Sequence, residues 1–294
     1  MDAPRACLAP ELPRLIEAAN QVFRPSGGDM GTDYPLLFSL ENLRHLRVAS
    51  DRGALIAHAG LCVRTVSWQG TPRPVGAIGA VFTRADRRGQ GWGAAVVSDA
   101  LACARAEGVP LVVVSGDGPL YRRLGFAPAP PAVCWTWPAG AGSGAGLRGL
   151  PDPIQVRPCR QSDLPQLARW YDQESVHFQR DTADWRAFLG AQVVFAWPAC
   201  FWVVEDHAGP AGYLVVAQGT RRRVLELAGD RDAVLAAAPS VSDQLVVPDH
   251  DTETARAAAA RGWSPAPLTL AMAGQWLQAP ARPLPLPWYG LNYV

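Results

Sequence analysis

Val81-Phe-Thr-Arg-Ala-Asp-Arg-Arg-Gly-Gln-Gly-Trp-Gly93 decides how this chain is read. An apolar run ends at its left edge, a charged turn follows, and Gly89, Gly91 and Gly93 stand at alternate positions. To the right, Gly91–Glu107 carries helical apolar spacing and stops at Gly108 and Pro110. Strand, glycine turn and helix in that order aim several backbone N–H groups at one point in front of a helix N-terminus. Such a point is an anion site, well suited to a pyrophosphate. Glycines let the ligand approach the backbone, and Arg87 and Arg88 add charge at the rim. A dinucleotide fingerprint fits poorly. The spacing is G-x-G-x-G, Trp92 separates the last two glycines, and no parallel unit with an acidic residue on its second strand follows. A turn that only joins strand to helix is the rival reading.

Upstream, Pro10–Phe23 reads as a helix, with Leu12, Leu15, Ile16 and Ala19 at helical spacing. A second helix is expected over Leu36–Leu46. Ala54–Trp68 and Val75–Thr83 read as antiparallel strands, Leu111–Ser115 as a buried strand, Pro119–Leu124 as a short helix, and Ala132–Trp137 as the closing strand. The stretch 139–153 is rich in Gly, Ala and Pro and reads as a linker. After it a similar order begins again. A strand at Ile154–Arg157 and a helix from Ser162 or Asp163 to about Glu174 come first. Strands at Phe201–Glu205, Gly212–Gln218 and Arg223–Ala228 follow, then helices at Asp230–Ala238 and Thr252–Arg261 around a strand at Leu245–Val247. Gly262-Trp263 stands where Gly125-Phe126 stands in the first half. The second half reads as a diverged copy of the first.

Arg88-Gly-Gln-Gly-Trp-Gly93 resembles the R-x-x-G-x-G/A pyrophosphate loop of the GCN5-related N-acetyltransferases (GNAT). Leu120-Tyr-Arg-Arg-Leu-Gly-Phe126 resembles that family's Y-x-x-x-G-F element, and the resemblance covers about residues 10–137. The tandem arrangement resembles the Eis-like acetyltransferases, and mycothiol synthase is a competing tandem relative. No stretch is left for a third, sterol-carrier-like domain, so the Eis-like likeness is expected to be partial. The implied fold class is α/β (α+β), with two tandem GNAT-like domains, each a mixed, mostly antiparallel sheet flanked by helices. The expected divisions are a catalytic domain at 1–138, the linker at 139–153, a degenerate domain at 154–277, and a tail at 278–294 that docks on the first domain.

The resemblance implies roles. Acetyl-CoA is the expected co-substrate, and a primary amine of a small molecule or peptide the expected acceptor. Backbone groups around Val81, Phe82 and Thr83 would pair with the pantetheine arm and polarise the thioester carbonyl. Amides of Arg88, Gly89, Gln90, Gly91, Trp92 and Gly93 would hold the pyrophosphate. Tyr121 matches the general acid that protonates the departing thiolate, and a phenol is close enough to a thiol in acidity for the transfer to cost little. In Eis-like enzymes the chain's own C-terminal carboxylate enters the active site, which makes Val294 the candidate base. The aromatic tail suits docking, and a tail that only packs is the alternative. His58, on a strand, is a weaker candidate base. Asp29 and Asp33, in the loop where the family builds its acceptor pocket, could attract a cationic amine. A non-catalytic acyl-CoA-binding protein is the rival from another class.

In the second half, Gly229-Asp230-Arg231-Asp232 stands where the pyrophosphate loop should be. One glycine and two carboxylates predict a copy that does not bind CoA and instead shapes the acceptor site.

Composition narrows the field. All 27 basic residues are Arg, which excludes Schiff-base chemistry and a Walker loop, since both need a Lys amine. Hydrophobic residues make up 49% and charged residues 18%, a globular balance. A net charge of +1 gives no reason to expect nucleic acid or a membrane surface as partner. The opening Met1–Arg5 lacks a basic segment followed by an apolar core, so no signal peptide is expected. Six scattered cysteines with no C-x-x-C predict no metal site and reduced thiols, as in the cytoplasm.

Overall fold

The computed structural model describes residues 3–68, 70–141, 154–269, 271–278 and 286. The first half holds β1 (Arg5–Ala6), α1 (Leu12–Phe23), α2 (Met30–Asp33), β2 (Leu46–Asp51), β3 (Ala54–Trp68), β4 (Thr71–Thr83), α3 (Trp92–Ala106), β5 (Leu111–Ser115), α4 (Pro119–Arg123), β6 (Ala127–Pro128) and β7 (Ala132–Thr136). The second holds β8 (Gln155–Pro158), α5 (Leu164–Tyr171), β9 (Val176–Phe178), α6 (Thr182–Ala191), β10 (Val193–Val194), β11 (Trp197–Asp206), β12 (Gly209–Gln218), β13 (Arg222–Gly229), α7 (Arg231–Val241), β14 (Gln244–Val247), α8 (Thr252–Ala260), β15 (Ser264–Leu268) and β16 (Met272–Trp276).

Two mixed sheets form in tandem, each flanked by helices. The first runs β1-β2-β3-β4-β5-β16-β6, with β9 on the free part of β3; the second runs β10-β11-β12-β13-β14-β7-β15, with β8 on β11. Only β4–β5 and β13–β14 are parallel among these ladders. The two sheets have the same plan, and they trade one strand. β16, from the end of the chain, sits between β5 and β6, while β7, from the first half, sits between β14 and β15.

The trade corrects the expectation that Ala132–Trp137 closes the first sheet. Ala132 and Cys134 are buried in one core of the second unit and Trp135 in the other, while Met272 and Ala273 are buried in the first unit. Both strands offer apolar side chains to both faces, so their alternation fits either slot. The expected helix over Leu36–Leu46 shrinks to a single 3-10 turn at Leu43–His45. Asn42 Nδ2 donates to the carbonyls of Leu37 and Leu61 (2.9 and 3.0 Å), which fixes an irregular turn while Leu37 and Phe38 enter the core.

The elements around the loop follow from their residues. Leu12, Leu15 and Ala19 form the buried stripe of α1, and Val96, Val97, Ala100, Leu101 and Ala104 that of α3. The run Leu111–Val114 is buried throughout, as a central strand covered on both faces requires. Across the units, Arg64 on β3 makes a two-pronged ion pair with Asp184 on α6. Leu286, in the expected tail, is buried against Val75, Val113 and Phe178, while Val294 and most of 139–153 lie outside the described residues.

Candidate active site

The site begins with a bulge. His58 pairs with Phe82 and Gly60 with Gly79, so Ala59 faces both Ala80 and Val81. Ala80 takes a left-handed φ of +51°, a conformation costly for a residue with a Cβ. The extra residue turns Phe82 into the core beneath α1 and Val81 toward α3. His58 supports the turn. It is fully buried, and its Nδ1 lies 2.8 Å from the Ala80 carbonyl oxygen, between the rings of Phe38 and Phe82. Burial pushes its pKa down to about 4, so the ring is neutral at pH 7 and Nδ1 carries the proton it donates to Ala80. Nε2 has no hydrogen-bond partner among the described residues. A ring this enclosed positions backbone and does not exchange protons with a substrate.

Beyond the bulge the sheet opens. β4 and β5 pair from Val75–Leu111 to Ile78–Val114, and β4 continues to Thr83 past the end of that ladder. The loop above the opening is the quoted sequence. Arg84 pairs with Asp86 and Arg87 with Asp51 (2.9 and 2.8 Å). Arg88 is exposed, makes no ion pair among the described residues, and directs Nε to the Thr83 carbonyl at 3.3 Å. Gln90 is exposed as well. Gly89 and Gly91 both have left-handed φ, and a Cβ on either would meet nothing within 4 Å. Their requirement is conformational, and the space in front of them is open. Gly91 caps α3, whose first bond runs from Ala95 N–H to the Gly91 carbonyl at 3.0 Å. The N–H groups of Trp92, Gly93 and Ala94 therefore precede the helical ladder.

Gly93 draws the parts together. A Cβ there would stand 3.3 Å from Thr83 Oγ1 and 3.6 Å from Leu120 Cδ2. The end of β4, the start of α3 and α4 thus meet at one glycine. Tyr121 is the neighbour of Leu120 on α4. Its half-buried ring lies edge-on to Phe126 at 5.8 Å, and burial raises its phenol pKa. Gly116 makes room for that ring, since a Cβ would come within 2.8 Å of Tyr121 Cε2. The phenol makes no hydrogen bond among the described residues. Val81, Trp92, Leu120 and Tyr121 pack against one core, and Thr83 and Leu120 both approach Gly93, while Phe82 lies in a separate core cluster beneath α1.

The predicted acceptor carboxylates are engaged locally. Asp29 caps α2 through Thr32 N–H at 3.1 Å and receives Asn20 Nδ2 at 2.8 Å, while Asp33 receives Arg24 Nε at 2.6 Å. All six cysteines are free, and burial pushes those of Cys7, Cys62 and Cys159 up to about 11. Sequence reading missed a set of charged residues in the second unit, Glu174, Arg231 and Asp251, which converge on a cavity there. They come from three separate helix ends, and only Asp251 carries a local cue, as a cap followed by Glu253.

Residues 5–129 match the family model "Acetyltransferase (GNAT) domain". No curated protein matches the chain. Among solved structures, a protein of Enterococcus faecalis V583 designated "Probable N-Acyltransferase" aligns with 94% of this chain and 72% of its own at 14% identity, TM-score 0.69. A GCN5-related N-acetyltransferase from Kribbella flavida aligns over 95% and 71% at 14% identity, TM-score 0.66. Eis1 from Mycobacterium abscessus aligns over 83% and 65% at 17% identity, TM-score 0.55. These likenesses establish the shared two-unit fold. Residues 5–129 thus match a GNAT acetyltransferase domain, and the whole chain shares the two-unit fold of these solved proteins.

Proposed function

We propose that this chain is an acetyl-CoA-dependent N-acetyltransferase, in which the first unit transfers the acetyl group directly to a primary amine of a small molecule or peptide. The observation that carries this reading is the end of β4 running past β5, where the glycine-capped N-terminus of α3 meets Thr83 and the Leu120 side chain of the helix that carries Tyr121. Bound acetyl-CoA supplies a thioester carbonyl with a thiolate leaving group. The amides at 91–94 and the dipole of α3 favour the pyrophosphate. The backbone of Val81–Thr83 orients the thioester and meets the negative charge that develops on its oxygen as the amine attacks. Tyr121 gives its proton to the departing sulfur; its raised pKa keeps the phenol protonated until that moment.

The general base is proposed to be the Val294 carboxylate. Support comes from Leu286, buried on the first sheet eight residues earlier, a separation that an extended chain spans as roughly 27 Å. The second unit is proposed to bind no CoA. Its helix α7 follows β13 without a glycine loop, and its N-terminus is already capped by Asp230, which accepts from Ala233 N–H at 2.9 Å. Release of free thiol from acetyl-CoA, measured against a panel of primary amines, tests the reading. Turnover with at least one amine, abolished by removing residues 290–294 while acetyl-CoA still binds, is the expected result. Binding without turnover on any amine would leave an acyl-CoA-binding scaffold, and a fully active truncation would remove Val294 as base.

A further inference from the structure

The second unit keeps a cleft where its parallel strands part. The β13–β14 ladder ends at Val224–Leu245, and a cavity of about 440 Å³ opens beyond it. Four charged side chains meet there: Glu174 after α5, Arg231 at the start of α7, and Asp251 and Glu253 at the start of α8. Arg231 Nη2 bonds Glu174 and lies 3.9 Å from Asp251 Oδ2. Burial raises the Glu174 pKa, and the charges of Asp251 and Glu253 push it the same way. Glu226, also in the wall, is neutralised separately by Arg180 through two bonds of 2.7 Å. Burial holds His250 below the usual imidazole range, so it adds no positive charge at pH 7. Three carboxyl groups thus face one guanidinium.

A second observation points to a ligand. Thr254 is fully buried and lines the cavity, and its hydroxyl, like Arg231 Nε and Nη1 and His250 Nδ1 in the same wall, has no hydrogen-bond partner among the described residues. That oxygen can accept an N–H. Charges withdrawn from water are costly, and apolar packing would serve a mere scaffold as well or better. Among the described residues no group of three His, Cys, Asp or Glu is placed to hold a metal ion. The volume instead suits an organic molecule, and Trp170, Leu225 and Val246 supply apolar wall for a methylene chain.

We infer that this cavity binds a small aliphatic amine carrying one or two ammonium groups, held by Glu174, Asp251, Glu253 and the Thr254 hydroxyl. The site is separate from the acetyl-CoA opening and does not depend on turnover there. The test is hydrogen exchange on the full chain without acetyl-CoA, with 1,4-diaminobutane as probe and glutarate as the anionic control. The diamine should slow exchange over 172–176 and 247–254, and glutarate should not. Glu174→Gln should weaken the effect at least tenfold. Glu253→Gln, on an exposed residue that leaves packing untouched, should weaken it several-fold. Equal protection by glutarate, or protection unchanged in both variants, would overturn the inference. Protection confined to 20–34 and 80–93 would also overturn it, while leaving the proposed transferase activity standing.

Discussion

The two units share one plan and differ at the two places where cofactor chemistry would occur. In the first, a glycine loop separates β4 from α3, and the first three amides of that helix stand ahead of its ladder. In the second, α7 starts directly after Gly229, which packs so closely on Ala211 and Gly212 that a Cβ would come within 2.4 Å of a carbonyl oxygen, and Asp230 fills the helix end. The short helices differ likewise. Phe126 N–H donates to the Tyr121 carbonyl at 3.0 Å, and Trp263 N–H donates to the Ala258 carbonyl at 3.2 Å, so the same hydrogen bond places Ala258 where the first unit has Tyr121. Backbone plan survives divergence because buried apolar faces specify it. An anion site or a proton donor disappears with a few residues.

Breaking the first unit at its chemistry should have the largest effect. Tyr121→Phe should lower kcat by about 10²–10³-fold, with acetyl-CoA affinity kept within a few-fold, as steady-state kinetics and calorimetry would show. An equal loss in affinity would mean that Tyr121 serves packing. Gly91→Val comes next. The added side chain enters open space but cannot easily take φ +86°, so acetyl-CoA affinity should drop at least tenfold at a stability cost of about 1–2 kcal/mol.

His58 gives a subtler test. Its folded pKa is about 4 against 6.5 unfolded. Between those values the unfolded chain binds the extra proton, so stability is full above pH 6.5 and falls as pH drops toward 4, by on the order of 3 kcal/mol. Thermal unfolding across that range should show the decline, and His58→Phe should flatten it. The same variant leaves the Ala80 carbonyl without its donor, a loss of about 1–3 kcal/mol. The smallest effect belongs to the second unit. Asp230→Ala should cost about 1 kcal/mol as a lost helix cap and leave acetyl-CoA binding unchanged.

Much of this contrast was legible in sequence, because positive φ and close approach select glycine and leave a visible pattern at Gly89, Gly91 and Gly93. The bulge at Ala80 was not, since nothing in an alanine announces a left-handed turn that a distant histidine supports. The strand trade was equally hidden. Ala132–Thr136 and Met272–Trp276 are both short and apolar, and which sheet accepts each is settled by long-range packing. Helix α6 went unread although Asp181 and Asp184 form a capping box at its start. That cue is visible once Asp184 is also seen to meet Arg64 across the units.

One unit, and only the first, is proposed to hold acetyl-CoA. Calorimetric titration of the purified chain with acetyl-CoA measures it directly. One site per chain, abolished by Gly91→Val and untouched by Asp230→Ala, is the predicted result; two sites, or one that survives Gly91→Val, would contradict it.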